Sequence, residues 1–256
     1  MESILPYVIP IAAAAVLSFA ACFRIRRWAL GHKVVQGIRT RDVHKKPVPR
    51  LGGLGIVAAF GFMVILFSIF WPESLSFASR KIFGIDQNLF GVLLGGLIVL
   101  VVMAIDDLKG LKWGYKLLAQ FVAAAAVAFG GVTISWFTNP FGSLIQLGHV
   151  AFSIGDFTVI WGQIFVVLWI VLIMNVVNWL DGLDGLASGI SIIAAATLFM
   201  LALSPRVGQP ATAMLAAILI GSIVGFVPFN FNPARMFLGD TGSMFIGYML
   251  AVLAIR

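Results

Sequence analysis

Long stretches without a charged residue recur along the whole chain, and they constrain its fold more than any other feature. A helix that crosses a bilayer needs about 20 apolar residues. Irregular backbone cannot lie exposed in the hydrocarbon, which favours helices for all such segments. Only 11% of the residues are charged, against about 25% in soluble domains. We therefore predict an all-α fold, a polytopic membrane helical bundle with about eight transmembrane helices. The uncharged segments are 3–23, 51–72, 87–105, 117–155 (one helix and a long polar and aromatic loop), 157–180, 185–205, 207–234 and 241–255.

The basic residues are distributed unevenly between the predicted loops. Thirteen of the 17 Lys and Arg residues fall in the loops 24–50, 106–116 and 229–241. Loops rich in Lys and Arg stay in the cytoplasm, so these loops are predicted to be cytoplasmic and the N-terminus to lie outside. The leader of the first segment lacks the positive charge of a cleaved signal, so we expect this helix to remain.

Five carboxylates fall on the same predicted side as most of the basic residues. They are Asp106, Asp107, Asp181, Asp184 and Asp240, and they come from three separate loops. Contact with anionic lipid explains some of the basic residues there, but it does not explain carboxylates, which the same lipids repel. The adjacent pair Asp106 and Asp107 exceeds what capping of the next helix requires. We expect the acids to share one site.

The stretch "NVVNWLDGLDGLASG" places polar residues at the end of an apolar helix. Asn175, Asn178 and Asp181 are spaced three residues apart and so share one helix face. Such a polar face must meet protein, water or a ligand. A glycine-rich turn with Asp caps is the structural alternative for Asp181 and Asp184. The spacing favours a functional role.

Two further motifs add anion-binding features. "RDVHKKPVPRLGGLG" combines His44, Lys45 and Arg50 with prolines that stiffen the loop and glycines that permit close backbone approach. A juxtamembrane basic loop is the alternative interpretation. "RMFLGDTGS" places Asp240 at the start of the last helix, where free N–H groups attract anions, although a simple helix cap would look the same. Together the motifs predict a site for a magnesium-bound diphosphate and a second anion.

The four motifs resemble those of the polyprenyl-phosphate N-acetylhexosamine-1-phosphate transferases. "VHKKPVPRLGG", "DDLKG", "NVVNWLDGLDGLASG" and "FLGDTGS" occur in the family order over residues 44–243. The resemblance implies transfer of a sugar 1-phosphate from a UDP-N-acetylhexosamine to undecaprenyl phosphate, release of UMP, and a need for Mg²⁺ or Mn²⁺ at the cytoplasmic face. "HKKPVPRLGG" is similar to the branch that starts O-antigen, enterobacterial common antigen or teichoic acid linkage units, which favours UDP-N-acetylglucosamine. The phospho-N-acetylmuramoyl-pentapeptide transferases of peptidoglycan synthesis are the alternative branch.

The resemblance also assigns candidate roles. Asp240 is the leading metal ligand by family position, with Asp181 as the second. Asp184 is assigned to catalysis, although, like Asp181, it could also ligate the metal or hold its waters. Asp106 and Asp107 are assigned to catalysis too, and either could deprotonate the lipid phosphate. Asn178 is a candidate for binding the nucleotide and Phe237 for stacking on uracil. A direct transfer and a route through an aspartyl-phosphate both stay open. The remaining substrate-binding candidates are His44, Lys45, Arg50, Lys116 and Asn175.

Departures from the family pattern keep other interpretations open. The family's "DxP" element before His44 is absent from "GIRTRDVH", and the sequence ends at Arg256, before the family's His-rich loop. We expect residues 1–256 to form a single integral membrane transferase domain that lacks the family's C-terminal helices. An ion-coupled transporter and a non-catalytic scaffold are the alternatives from other classes. The lipid bilayer is an expected partner, nucleic acid is not, and a homodimer is left open.

Overall fold

The computed structural model describes residues 4–32, 34, 48–77, 80–82, 84–139, 142–154 and 157–256. Eight α-helices form most of this part of the chain, which confirms the predicted number of helices. Their bounds are α1 (Leu5–Gly31), α2 (Gly52–Phe70), α3 (Gln87–Lys109), α4 (Trp113–Phe129), α5 (Trp161–Leu180), α6 (Leu186–Ala202), α7 (Pro210–Asn230) and α8 (Gly239–Ile255).

Five of these helices, α1, α2, α3, α5 and α7, are long and apolar enough to cross a membrane by length and composition. The helices α4, α6 and α8 are apolar but shorter, with 17 residues each. Helix α7 is buried along most of its length, and α1, α2 and α6 pack around it. A Cβ atom at Gly221 or Gly225 would overlap the backbone of α1, so the small residues let the two helices approach closely.

The predicted segments differ from the helices in two places. Helix α1 continues past residue 23 to Gly31, because long basic side chains can extend towards water from the end of a spanning helix. The region after α4 contains β-structure, and residues 157–160, predicted to be helical, form a strand instead. These segments are rich in β-branched and aromatic residues, which favour strands.

In the described part of the chain the strands form three antiparallel pairs. The pair β1 (Lys81–Ile82) and β2 (Ile85–Asp86) precedes α3, and a short 3-10 helix lies at Pro72–Leu75. Between α4 and α5 there are two hairpins. In the first, β3 (Trp136–Thr138) pairs with β4 (Leu144–Gln146), with Phe137 opposite Ile145. In the second, β5 (Val150–Ile154) pairs with β6 (Phe157–Ile160).

The other end of the bundle brings the sequence motifs together. There α2 and α8 begin side by side, and the backbone N–H groups of Gly52 and Gly53 donate to the carbonyls of Phe237 and Leu238 over 3.0 and 2.8 Å. A Cβ atom at Gly53 would overlap the backbone of Gly242. This confirms that the double glycine of "RLGGLG" serves close backbone approach, and it joins two motifs that are almost 190 residues apart.

Candidate active site

Asp240, in the first turn of α8, is the carboxylate on which side chains from two other helices converge. The ammonium group of Lys116, from the first turn of α4, is paired with its Oδ2. The amide of Asn178, from the end of α5, donates to its Oδ1 over 3.4 Å and to the Ser243 hydroxyl over 2.9 Å. The partners of Asp240 are therefore side chains, which can rearrange when a ligand binds.

Asp106 lies beside this cluster at the end of α3. Its carboxylate is 2.9 Å from the Lys116 ammonium, and it accepts a hydrogen bond from the Leu111 backbone over 2.6 Å. It thus stabilises the turn that joins α3 to α4 and fixes Lys116 between two negative charges. The structural alternative, capping of the next helix, is not what Asp106 does, because Leu111 precedes α4 and the start of α4 has no side-chain cap.

Asp107 has a different set of partners. It accepts hydrogen bonds from the backbone N–H groups of Asp240 and Thr241 over 2.8 and 2.9 Å, and from the Thr241 hydroxyl over 2.6 Å. These N–H groups belong to the first turn of α8, where backbone donors lack intrahelical partners. Asp107 therefore acts as a cap supplied by another helix, and α8 does not need a capping side chain of its own.

Asp184 is likewise engaged with backbone. Its Oδ2 accepts from the Ala234 N–H over 2.9 Å and from the Asn232 amide over 3.2 Å. Both donors lie in the α7–α8 loop, residues 231–238, which leads to Asp240. We predicted a catalytic role for Asp184, and its contacts in this structure are those of a residue that shapes the neighbouring loop.

Asp181 ends α5 and lies close to the same negative charges. Burial, and to a smaller extent the nearby charge of Asp240, raise the pKa of the Asp181 carboxyl to about 7, while the positive charge of Arg50 opposes the rise. The Gly239 backbone N–H donates a hydrogen bond to this carboxylate. Arg50 itself is exposed, and its carbonyl lies where a side chain at Gly239 would have to fit.

Asn175 lies deeper in the bundle than Asn178, on the same face of α5, as their spacing predicts. Its amide donates to Gln120 Oε1 of α4 over 2.6 Å and to the Val171 carbonyl over 2.7 Å. Gln120 in turn donates to the Met244 sulfur of α8 over 3.5 Å. A cavity of about 280 Å³ opens between these three helices. Its lining residues are Leu111, Trp113, Lys116, Leu117, Gln120, Asn175, Asn178 and Met244.

Sequence reasoning missed several polar residues of this region. Gln120 and Asn230 are each 2% exposed, and Ser188 and Ser243 are fully buried. A signal for Gln120 existed, because it lies one helical turn after Lys116 on an otherwise apolar helix and so shares its face. Ser243 lies one turn after Gly239, where its hydroxyl donates to that carbonyl over 3.0 Å.

The carboxylates fit a hard divalent cation. One oxygen each from Asp106, Asp107 and Asp240 lies within 4.8 Å of the others, and carboxylate oxygens are ligands that Mg²⁺ binds together with water and substrate phosphates. Asp107 already accepts three hydrogen bonds and Asp106 closes a turn, so Asp240 has the greatest freedom to act as ligand. Asp181 is not part of this group of three, and its role as second ligand stays a prediction.

Phe237, the predicted uracil-stacking residue, lies in the α7–α8 loop beside the site. Phe237 is half-buried, and its backbone N–H donates to the Pro49 carbonyl over 2.8 Å, which fixes the α7–α8 loop against the segment before α2. His44 and Lys45 lie outside the described residues. Arg26 of α1 joins this end of the bundle through a 3.1 Å hydrogen bond to the Arg235 carbonyl.

Comparison with known proteins identifies the family. A sequence model of glycosyl transferase family 4 matches residues 89–256, which include the "DDLKG", "NVVNWLDGLDGLASG" and "FLGDTGS" motifs. The chain belongs to this family. The match confirms the predicted family, and the matched region contains three of the four motifs and the whole Asp240 cluster.

The similar proteins carry related names. The chain is 32% identical, over 90% of its length, to the "Probable undecaprenyl-phosphate N-acetylglucosaminyl 1-phosphate transferase" of Bacillus subtilis. It is 32% identical, over 93% of its length, to a decaprenyl-phosphate N-acetylglucosaminephosphotransferase of Mycobacterium tuberculosis. It is also 31% identical, over 90% of its length, to a phospho-N-acetylmuramoyl-pentapeptide-transferase of Staphylococcus epidermidis.

The chain spans 57% of the length of the Bacillus and Mycobacterium relatives and 69% of the Staphylococcus relative. The apolar helices and the bacterial relatives together indicate a multi-pass protein of the bacterial inner membrane. The contacts between loops confirm that the described parts of the predicted cytoplasmic loops meet at one end of the bundle. Which side of the membrane that end faces stays a prediction.

Proposed function

We propose that this chain transfers an N-acetylhexosamine 1-phosphate, from UDP-N-acetylglucosamine in the first instance, to undecaprenyl or another polyprenyl phosphate. An oxygen of the lipid phosphate forms a new bond to the phosphorus next to the sugar. The bond from that phosphorus to the bridging oxygen breaks, and UMP leaves. The observation that carries this proposal is the convergence of Lys116 and Asn178 on Asp240 at the end of the bundle where the family motifs meet.

The chemistry needs charge neutralisation more than covalent participation, because phosphoryl transfer depends mainly on positioning and electrostatics. Asp240 would hold the Mg²⁺ ion, which would supply positive charge for the donor diphosphate. Lys116 is held between two carboxylates and can turn towards a phosphate oxygen. Arg50 lies near Asp181 at the mouth of the site and adds a second cation. Asn178 then fixes the orientation of Asp240.

A general base, if the lipid phosphate requires one, is better assigned to Asp106 than to Asp107. Asp107 is an acceptor for three hydrogen bonds from α8, and protonating it would weaken that cap. Asp106 shares Lys116 with Asp240, which places it beside the reacting groups. Direct transfer and an aspartyl-phosphate route both remain compatible with this arrangement. The residues assigned to the donor are Phe237 for uracil and Asn178 for the nucleotide.

Transfer of the muramoyl-pentapeptide phosphate is the second candidate function. The observation in its favour is the similarity to the Staphylococcus relative, of which the chain covers the larger share. The basic motif "HKKPVPRLGG" favours the N-acetylglucosamine branch. An ion-coupled transporter is disfavoured, because the carboxylates lie at helix ends and transporter sites lie near the bilayer midplane. The cytoplasmic location of the site and the homodimer remain predictions.

Transfer of radiolabel from UDP-N-acetylglucosamine to undecaprenyl phosphate, in detergent with Mg²⁺, tests the proposal. We expect a labelled lipid and equimolar UMP, and no product when EDTA removes the metal. The muramoyl-pentapeptide donor run in parallel separates the two branches. If neither donor yields a labelled lipid while the purified protein remains folded, the proposed activity is wrong for this chain.

A further inference from the structure

Asn230, the last residue of α7, connects two loops of the site through one buried side chain. Its Oδ1 accepts from the backbone N–H of Gly185 over 3.2 Å and from the Ser188 hydroxyl over 2.8 Å. Its Nδ2 donates to the Met236 carbonyl over 3.3 Å. The side chain is 2% exposed, and burying an amide is costly unless its polar atoms have partners. It has these partners only when both loops are in place.

The chemistry of the partners fixes the orientation of this amide. A backbone N–H can only donate, so the atom facing Gly185 must be oxygen. A carbonyl can only accept, so the atom facing Met236 must be nitrogen. The interaction therefore has a direction: the start of α6 binds the oxygen and the α7–α8 loop binds the nitrogen. Neither loop can shift without breaking a buried hydrogen bond.

A second connection joins the same two loops closer to the surface. Asp184, one residue before Gly185, accepts from Asn232 and Ala234 of the α7–α8 loop. The buried amide and the half-buried carboxylate thus hold the two loops at two points. The α7–α8 loop carries Phe237, and the 181–185 loop carries Asp181, so both loops supply residues that are predicted to bind donor or metal.

We propose that Asn230 is a positioning residue, which couples these two loops and thereby sets the affinity for the nucleotide-sugar donor. The inference rests on the proposed function for its substrate, but the coupling of the loops does not. The hydrogen bonds of the Asn230 side chain go to Gly185, Ser188 and Met236 and do not involve α4, which carries Lys116 and Gln120. Loss of Asn230 is therefore expected to weaken donor binding selectively and to leave the lipid phosphate and the chemical step largely unaffected.

The test compares three variants of the membrane protein in detergent. Asn230→Ala removes all three hydrogen bonds, and Ser188→Ala removes only the hydroxyl that donates to Asn230. Ser222→Ala is the matched control, since Ser222 is also a fully buried serine, but its hydroxyl donates to the Ile218 carbonyl of its own helix over 2.8 Å. Hydrogen–deuterium exchange reports on the loops, and steady-state kinetics give KM for each substrate.

We expect residues 181–188 and 231–238 to exchange faster together in Asn230→Ala and, to a smaller extent, in Ser188→Ala, but not in Ser222→Ala. The donor KM should rise about tenfold in Asn230→Ala, the size expected for a buried polar group that loses its partners. The KM for lipid phosphate and kcat should stay within about twofold, because Asn230 does not touch the reacting groups. If Asn230→Ala does not fold, Ser188→Ala tests the same split at smaller amplitude.

The possible failures can be told apart. Equal rises in both KM values, or exchange that increases in only one loop, would show a general structural role and overturn the inference. Unchanged exchange and donor KM in both variants would also overturn it. If exchange increases in both loops of the variants but the wild-type protein transfers no sugar phosphate, the loop coupling stands and the proposed function is rejected instead.

Discussion

Asp107 and Asp240 face each other across the junction of α3 and α8, but they differ in the kind of group that binds them. Asp107 is held by two backbone N–H groups and the Thr241 hydroxyl. Asp240 is held by the side chains of Lys116 and Asn178. Backbone donors at a helix start are fixed by the fold, whereas side-chain donors can turn away when a ligand arrives. One carboxylate therefore stabilises the site and the other is available for chemistry.

The same division extends to the other acids. Asp184 resembles Asp107, because it accepts from the Ala234 backbone and organises a loop. Asp106 combines both kinds of partner, the Leu111 N–H and the Lys116 ammonium. Carboxylates of one motif therefore need not share one role. The kind of partner that each carboxylate has predicts the order of the effects of mutating them.

Asp240→Asn should have the largest effect on transfer, a loss on the order of a thousandfold. The amide keeps the shape of the side chain but lacks the charge that holds a divalent cation, and such metal contributions are worth several kcal/mol. The thermal midpoint should change little, because the partners of the Asp240 carboxylate among the described residues are the side chains of Lys116 and Asn178. Glu73→Gln, an exposed acid at the other end of the bundle, is the control. Near-normal transfer by Asp240→Asn would place the metal elsewhere.

Lys116→Met should come next, with a loss of about a hundredfold in turnover, since a preorganised cation beside the phosphates is removed. Without the ammonium group, Asp106 and Asp240 should bind Mn²⁺ more tightly by about tenfold, because the competing positive charge is gone. Mn²⁺ binding measured by electron paramagnetic resonance checks this without an activity assay. Lys112→Met, an exposed lysine next to α4, should change neither quantity. Weaker Mn²⁺ binding would mean that Lys116 does not compete for the metal site.

The sequence predicted the helices and the site region better than the roles within the site. Uncharged segments give the number of helices because every backbone group in the bilayer must be satisfied inside the segment. They did not reveal the hairpins between α4 and α5, whose residues are also apolar but favour strands. The distribution of Lys and Arg predicted that the five acids lie on one side of the membrane, and the structure confirms that all five lie at one end of the bundle.

What the sequence could not supply is which donors each carboxylate meets. Asp107 and Asp240 are separated by 132 intervening residues, and the cap between them depends on how α3 and α8 pack. Asn230 and Gln120 are single amides in apolar helices, and nothing in the local pattern distinguishes them from incidental polar residues. Their importance becomes visible only when three-dimensional contacts show that each of them joins separate elements.

Asp107→Ala should lower the stability of the protein more than Asp240→Asn does. It should lower the rate of transfer less than Asp240→Asn does. The start of α8 loses its cap and a charged acceptor, which corresponds to about 2–3 kcal/mol of unfolding free energy. Transfer should fall about tenfold, since the first turn of α8 carries Asp240 and would shift. Thr241→Val removes only the hydroxyl contact and should give a smaller loss of the same kind. A stable Asp107→Ala protein without activity would instead make Asp107 the general base.

Asp184→Asn should have the smallest effect, and it tests the comparison most sharply because a catalytic role was predicted for this residue from the motif. The amide oxygen can still accept from the Ala234 N–H, so the main backbone contact survives. What is lost is the negative charge and part of the contact with Asn232, which is worth about 1 kcal/mol at a half-buried site. We therefore expect a drop of a few degrees in thermal midpoint and a change in turnover of about threefold or less.

Parallel measurement of thermal unfolding and radiolabelled transfer tests this expectation. A fall in turnover of about a hundredfold with an unchanged midpoint would show that the charge of Asp184 acts on the substrates or on the metal, and the division between backbone-bound and side-chain-bound carboxylates would fail at this residue.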